Sequence, residues 1–220
     1  MCFFQVYFNM HYIPPADNGL ELIYCDASLL VVNKPAGLLS VPGRGADKQD
    51  CLSARIQREF SDALVVHRLD MATSGLLVFA RSVQMQRSLS EIFREREVEK
   101  RYVAVVAGKV EPLTGEVDLP IAADWPNRPL RKIDAELGKP SLTHYRVLTQ
   151  GADTTRVELE PVTGRTHQLR LHMTSIGHPI VGDNLYGGRA AARLMLHARM
   201  LAFAHPLSGE ALAFLCEPPF

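Results

Sequence analysis

Apolar residues along this chain recur with two different periods, and the changes between them mark out its elements. Residues 20–24 and 29–33 are short apolar runs separated by Asp26, Ala27 and Ser28, a pattern that predicts a hairpin. Lys34-Pro35 ends the second run, and Gly37, Gly43 and Gly45 mark the loop that follows. Leu52, Ile56 and Phe60 then recur every four residues behind Asp50, which predicts a helix capped by that carboxylate. Residues 64–66 and 75–80 (GLLVFA) are continuous apolar runs, the second long enough for a strand buried on both faces. Ser82 is placed to cap a second helix, with Met85, Leu89 and Phe93 on one stripe. The charged run 94–101 (REREVEKR) reads as the solvated face at its end. Residues 101–107, 142–149 and 154–160 read as strands, and residues 166–176 as a helix that Gly177 can close. Residues 195–204 and 211–216 complete the chain as strands. Most connections between strands are too short to hold a crossover helix. The expected fold is therefore α+β: a single domain with a mixed, mostly antiparallel central sheet flanked by helices and loops.

Composition narrows the function. The chain has 220 residues, 47% hydrophobic and 22% charged, so it can bury a core without disulfides or a structural metal. Lys and Arg number 24 and Asp and Glu 24, which argues against nucleic-acid binding by bulk charge and leaves room for a local basic groove. Cys2, Cys25, Cys51 and Cys216 form no C-x-x-C pair and read as free thiols of a cytoplasmic protein. No apolar run approaches the ~18 residues of a membrane span. Residues 1–19 read as an N-terminal extension and residues 20–220 as the domain.

Two segments hold more polar chemistry than a core needs. Residues 67–74 (HRLDMATS) place Arg68 and Asp70 between two apolar runs, where rigid elements can hold a site; an ion-paired surface turn would look the same. Residues 164–172 (GRTHQLRLH) bring Arg165, His167, Arg170 and His172 together, and from Arg165 to His205 five arginines face one acid, Asp183. His167 and His172 are five apart, the wrong spacing for a helical zinc pair, and read as hydrogen-bonded core residues. A second carboxylate near Asp70, a nucleophile elbow and a phosphate-binding glycine loop are all missing, which removes support for hydrolase and nucleotide-triphosphate chemistry.

At HRLDMATSGLLVFA the chain closely resembles the signature of the RluA-type pseudouridine synthases. Residues 31–44 (VVNKPAGLLSVPGR), 100–108 (KRYVAVVAG) and 164–187 (GRTHQLRLHMTSIGHPIVGDNLYG) resemble its other motifs, in family order. DWPNRP (residues 124–129) and the lack of room for an S4-like domain resemble those members that act on both ribosomal and transfer RNA. Arg81 stands where many relatives have Lys.

The resemblance implies isomerisation of uridine to pseudouridine within RNA, with no cofactor and no metal. It implies Asp70 as the catalytic carboxylate, either attacking ribose C1′ or taking a proton from C2′. Arg165 is implied as its ion-pair partner, because a carboxylate in a dry pocket needs a cation to stay ionised. Tyr102 is implied as the residue that stacks on the uracil and can take its C5 proton, directly or through water. Arg68 is implied as the filler of the gap left by a flipped nucleotide. Further RNA contacts are expected from His67, Trp125, Asn127, Arg128, Arg131, Lys132 and Arg170, with Arg94, Arg96, Lys100 and Arg101 widening the basic surface. The expected substrates are stem-loops of transfer RNA and of large-subunit ribosomal RNA, where an unpaired base is cheap to flip, and the expected state is a monomer. Two other classes stay open at this point: a catalytically silent RNA-binding module and a nucleoside-cleaving hydrolase.

Overall fold

The computed structural model describes residues 12–220; the first eleven residues of the expected extension lie outside the described residues. In chain order the elements are β1 (Leu22–Cys25), β2 (Leu29–Lys34), α1 (Leu52–Glu59), β3 (Leu64–Val65), β4 (Ser74–Ala80), α2 (Val83–Arg94), β5 (Glu99–Ala107), β6 (Thr114–Asp118), β7 (Ile121–Ala123), β8 (Arg131–Ile133), β9 (Leu142–Gln150), β10 (Thr154–Pro161), α3 (Gln168–Ser175), β11 (Leu196–Ala204) and β12 (Ala211–Leu215).

Ten strands form one sheet in the order β1-β2-β4-β11-β5-β10-β9-β6, with β12 beside β11 and β3 beside β4; β7 and β8 make a separate two-stranded ribbon. The pairing of β4 with β11 is parallel and all the others are antiparallel, so the sheet is mixed and mostly antiparallel as expected. The β1–β2 turn closes because the Asp26 carboxylate accepts from the Ser28 and Leu29 N–H groups at 2.6 and 2.7 Å.

Every residue of β4 is buried, because the sheet is covered on both faces. Leu76, Val78 and Ala80 of β4 pack with Met85 and Leu89 of α2 and with β12. The alternate residues Leu77 and Phe79 pack with Leu52 and Ile56 of α1 on the other face. Further along the sheet, Leu169 and Met173 of α3 close a third cluster over Ala104, Val157 and Leu159.

Two local expectations need correction. Asp50 does not cap α1: Cys51 occupies that position with no side-chain cap, and the Asp50 carboxylate forks onto Arg55 at 2.8 and 2.7 Å, a stronger charge-assisted pair. The run 94–101 is not a helix face: α2 stops at Arg94, Arg96 turns left-handed at φ +64°, and β5 begins at Glu99. Residues 12–16 of the expected extension pack onto the domain. The Tyr12 ring is buried with its hydroxyl donating to the Asp50 carbonyl at 2.9 Å, and Arg55 holds the carbonyls of Pro15 and Ala16. The Ser82 cap of α2 is as expected, its hydroxyl accepting from Met85 N–H at 3.1 Å.

Candidate active site

The loop that enters β4 carries Asp70, and it is clamped from beneath by the segment after β2. Lys34 is fully buried, and its ammonium donates to the carbonyls of Pro35, Leu38 and Met71 at 2.9, 2.7 and 3.0 Å. Gly37 N–H donates to Met71 O at 2.8 Å. Ser40 bridges both sides of Leu69, its hydroxyl donating to the carbonyl at 2.7 Å and accepting from the N–H at 3.1 Å. Three backbone groups flanking Asp70, the N–H and carbonyl of Leu69 and the carbonyl of Met71, are therefore fixed while its carboxylate accepts no hydrogen bond among the described residues.

That carboxylate faces a cavity of about 500 Å³ also lined by Arg68, Tyr102, Arg165, His167 and Arg170. Nη1 of Arg170 and Nε2 of His167 each lie 3.9 Å from its Oδ2. Arg170 is itself locked in a bidentate pair with buried Asp183 at 2.8 and 2.6 Å. Burial works against both charges, but their mutual pairing, with Asp70 nearby, raises Arg170 and lowers Asp183. The Tyr186 hydroxyl accepts from Arg131 N–H at 2.9 Å and lies 2.8 Å from His167 Nδ1. Tyr186 thus donates to Nδ1, which leaves the His167 proton on Nε2, directed toward Asp70. Burial lowers the pKa of His167 against the opposing pull of Asp70, so the imidazole is neutral at pH 7.

Tyr102 stands on β5, packed against the clusters under α1 and α3. Burial, with Asp70's charge added, pushes its hydroxyl above the usual phenol value. The phenol stays protonated at neutral pH, which suits stacking and hydrogen-bond donation better than proton abstraction.

Residues 28–175 match the family described as RNA pseudouridylate synthase. The chain belongs to this family. It is 50% identical over 215 residues to the dual-specificity RNA pseudouridine synthase RluA of Escherichia coli strain K12, covering 96% of this chain and 98% of that one. It is 49% identical to the Pasteurella multocida protein of the same name, covering 95% and 98%. Among solved structures, human RNA Pseudouridylate Synthase Domain Containing 1 superposes with a TM-score of 0.77 at 31% identity, covering 94% of this chain and 87% of that one. Its counterpart Domain Containing 4 superposes at 0.75 and 26%, covering 90% and 88%. The chain is an RNA pseudouridine synthase, an isomerase acting on uridine in RNA.

Within this pseudouridine synthase the expected residues separate into three groups. Asp70, Tyr102, Arg68 and Arg165 share the cavity, but the expected Arg165–Asp70 pair is not formed. The Arg165 guanidinium donates to the Pro140 carbonyl at 3.3 Å instead, because Arg165 precedes α3 whereas Arg170 projects from the helix toward Asp70. Arg170 and His67, expected at RNA, are engaged within the protein. Arg170 is 4% exposed and tied to Asp183. The His67 ring stacks on Phe93 at 4.4 Å, and its Nε2 accepts from Val78 N–H at 3.1 Å. The third group lies outside the cavity, on the β7–β8 ribbon. Trp125 is exposed with Arg128 stacked over it at 3.4 Å, Asn127 donates to Asp124, and Lys132 pairs with Asp134 at 2.8 Å. His172 is a core residue between Thr143 and the Leu119 carbonyl, as its spacing suggested. Lys34 and Tyr186 were not singled out, since only the fold reveals what each one holds.

Proposed function

We propose that the enzyme isomerises uridines in the loops of transfer RNA and large-subunit ribosomal RNA hairpins, with Asp70 as the catalytic group. The observation that carries this reading is a carboxylate with no protein hydrogen bond, on a fixed backbone, open to a cavity and 3.9 Å from Arg170 and His167. The description of the E. coli relative as dual-specificity supports two RNA classes.

The target uridine leaves its stack and enters the cavity, and Arg68, exposed on the rim with no carboxylate partner among the described residues, fills the space left behind. Asp70 meets the ribose. Attack at C1′ and removal of the C2′ proton both use the ionised carboxylate, and Arg170 supplies its counter-charge. The C1′–N1 bond breaks, the uracil turns, C1′ bonds to C5, the C5 proton departs and N1 takes one up. Atoms and electrons balance without an outside reactant. Tyr102 stacks on the uracil and keeps its own proton. Arg165 binds the RNA backbone or the turning base, and the exposed Trp125, Asn127, Arg128 and Lys132 of the β7–β8 ribbon, with the half-buried Arg131, engage the stem. The reading includes a cytoplasmic monomer, because Asp70, Tyr102, Arg68, Arg165 and Arg170 of a single chain already share one cavity.

The test uses transfer RNA tritiated at uridine C5. Tritium release by the wild type and none by a folded Asp70→Asn variant is expected. Binding without release from any RNA would instead mark a silent module, and free uracil among the products would mark a hydrolase.

A further inference from the structure

The turn between α2 and β5 also lines the cavity, and it has an unusual occupant. Glu97 N–H bonds to the Ile92 carbonyl at 2.9 Å and Arg96 N–H to the Phe93 carbonyl at 3.4 Å, the paired bonds of a left-handed helix stop. Glycine is the ordinary residue at the left-handed position of this motif, yet here it is Arg96, at φ +64°. Strained backbone of this kind is retained where the side chain is needed.

The charges around the turn sort themselves. Arg94 is neutralised by Glu91 and Glu95, both at 2.9 Å, and Arg101 by Glu99 at 2.8 Å and Glu158. Arg96 and Lys100 have no carboxylate within 4 Å among the described residues, and both line the Asp70 cavity. Lys100 is half-buried, and burial together with Arg96's charge lowers its pKa, as befits a cation awaiting a partner. The cavity wall carries six cationic side chains and one carboxylate, Asp70, in a protein of zero net charge.

We propose that Arg96 and Lys100 form a phosphate clamp on this wall, holding the RNA backbone beside the flipped uridine. This rests on the reading of the cavity as the uridine site. Arg96, Lys100 and Arg165 line the same cavity as Asp70, so a strand entering the site is held by this clamp together with Arg165.

The test exploits the backbone. Arg96→Gly removes the charge and relieves the left-handed strain together, so a structural role and a binding role predict opposite outcomes. Affinity for an unmodified stem-loop transcript that the wild type converts is measured over a range of KCl concentrations. The variants are Arg96→Gly, Arg96→Lys, Lys100→Gln and Arg87→Gln, the last removing an exposed charge of α2 outside the cavity. For Arg96→Gly the thermal midpoint is expected to hold or rise while KM increases. The slope of log Kobs against log salt should fall by about 0.7–0.9 for Arg96→Gly and for Lys100→Gln, the loss of one phosphate contact each. Arg96→Lys should restore the slope, and Arg87→Gln should keep it. Wild-type slopes in both neutral variants would overturn the clamp, as would an equal loss in Arg87→Gln, which would show diffuse charge only. Failure of the uridine-site reading is read separately, as a wild type that converts no transcript.

Discussion

Replacing Gly75 by Ala tests how the loop that carries Asp70 is anchored. The parallel contact between β4 and β11 consists of Ser74 opposite His197 and Gly75 opposite Ala198. Gly75 has φ +115°, and a Cβ there would lie 2.3 Å from the Ala198 carbonyl oxygen and 2.5 Å from its nitrogen. Both obstacles are backbone, so no side chain can rotate away. The strands would have to part by roughly 1 Å to restore an ordinary van der Waals gap. The positive φ costs an Ala about 1–2 kcal/mol. The overlap adds about 1–3 kcal/mol, and the stiffer unfolded chain returns about 0.4–1 kcal/mol. The net loss is roughly 3 kcal/mol, a large share of a typical stability of about 5–15 kcal/mol. Gly177→Ala separates the two causes. Gly177 also has positive φ, +87°, but nothing lies within 4 Å of its would-be Cβ, so it should lose only about 1 kcal/mol. Urea unfolding followed by circular dichroism reads both values. Asp70 sits four residues before Ser74 and shares its anchorage, so the folded Gly75→Ala fraction should also release tritium about 100-fold more slowly, the usual consequence of a 1 Å misplacement. An unfolding free energy within 1 kcal/mol of the wild type, with full tritium release, would refute the argument that this contact sets the loop.

Three further outcomes follow from buried charge. Burial lowers Lys34 to about 7 against an ordinary 10.5, so between those pH values the unfolded chain binds the extra proton and the wild type gains stability as pH rises; Lys34→Met should lack that rise in urea titrations at pH 7 to 10. Burial lowers His67 to about 3 from 6.5, so stability is present above pH 6.5 and is lost as pH falls toward 3, by roughly 2 kcal/mol at pH 5. His67→Gln, which can still accept from Val78 N–H, should flatten that acid limb, and an unchanged limb would assign it to other groups. Removing Arg170 or Asp183 alone should cost about 3–5 kcal/mol, and the Arg170→Met/Asp183→Asn double variant clearly less than the sum, read as a thermodynamic cycle.

Strand β4, buried on both faces, was legible because a continuous apolar run needs no partner to be recognised, while the half-exposed β1, β9 and β12 were legible from apolar runs bounded by turn residues. Helix α2 was legible for a similar reason, since Ser82 caps it and Met85 and Leu89 form its inner stripe. Strands β6, β7 and β8 were not legible. They have three to five residues and mostly half-exposed or exposed side chains, too little to establish a period. The neighbour of β4 was also beyond reach, because its β11 partner lies more than 120 residues downstream and the register is settled by tertiary packing. In the site, motif residues pointed to Asp70 and Tyr102, which do share the cavity. Ion-pair partners were another matter. Arg165 and Arg170 are five residues apart, and only the position where α3 begins decides that Arg170 is the one 3.9 Å from Asp70.

Charge pairing explains how a neutral protein can present a basic site. Nine of the 24 lysines and arginines pair with a carboxylate within 4 Å among the described residues, among them Arg81 with Asp62, Arg94 with Glu91, Arg146 with Glu158, Arg199 with Glu217 and Lys132 with Asp134. Local cancellation removes long-range attraction for nucleic acid over those surfaces. The cations left without a carboxylate among the described residues include Arg68, Arg96, Lys100 and Arg165, and all four line the Asp70 cavity. Net charge is blind to this arrangement, which is why the composition argued against bulk binding while allowing a groove. A phosphate backbone brought close to the Asp70 carboxylate would meet these four cations in the same cavity, and they offset the repulsion where it would be felt.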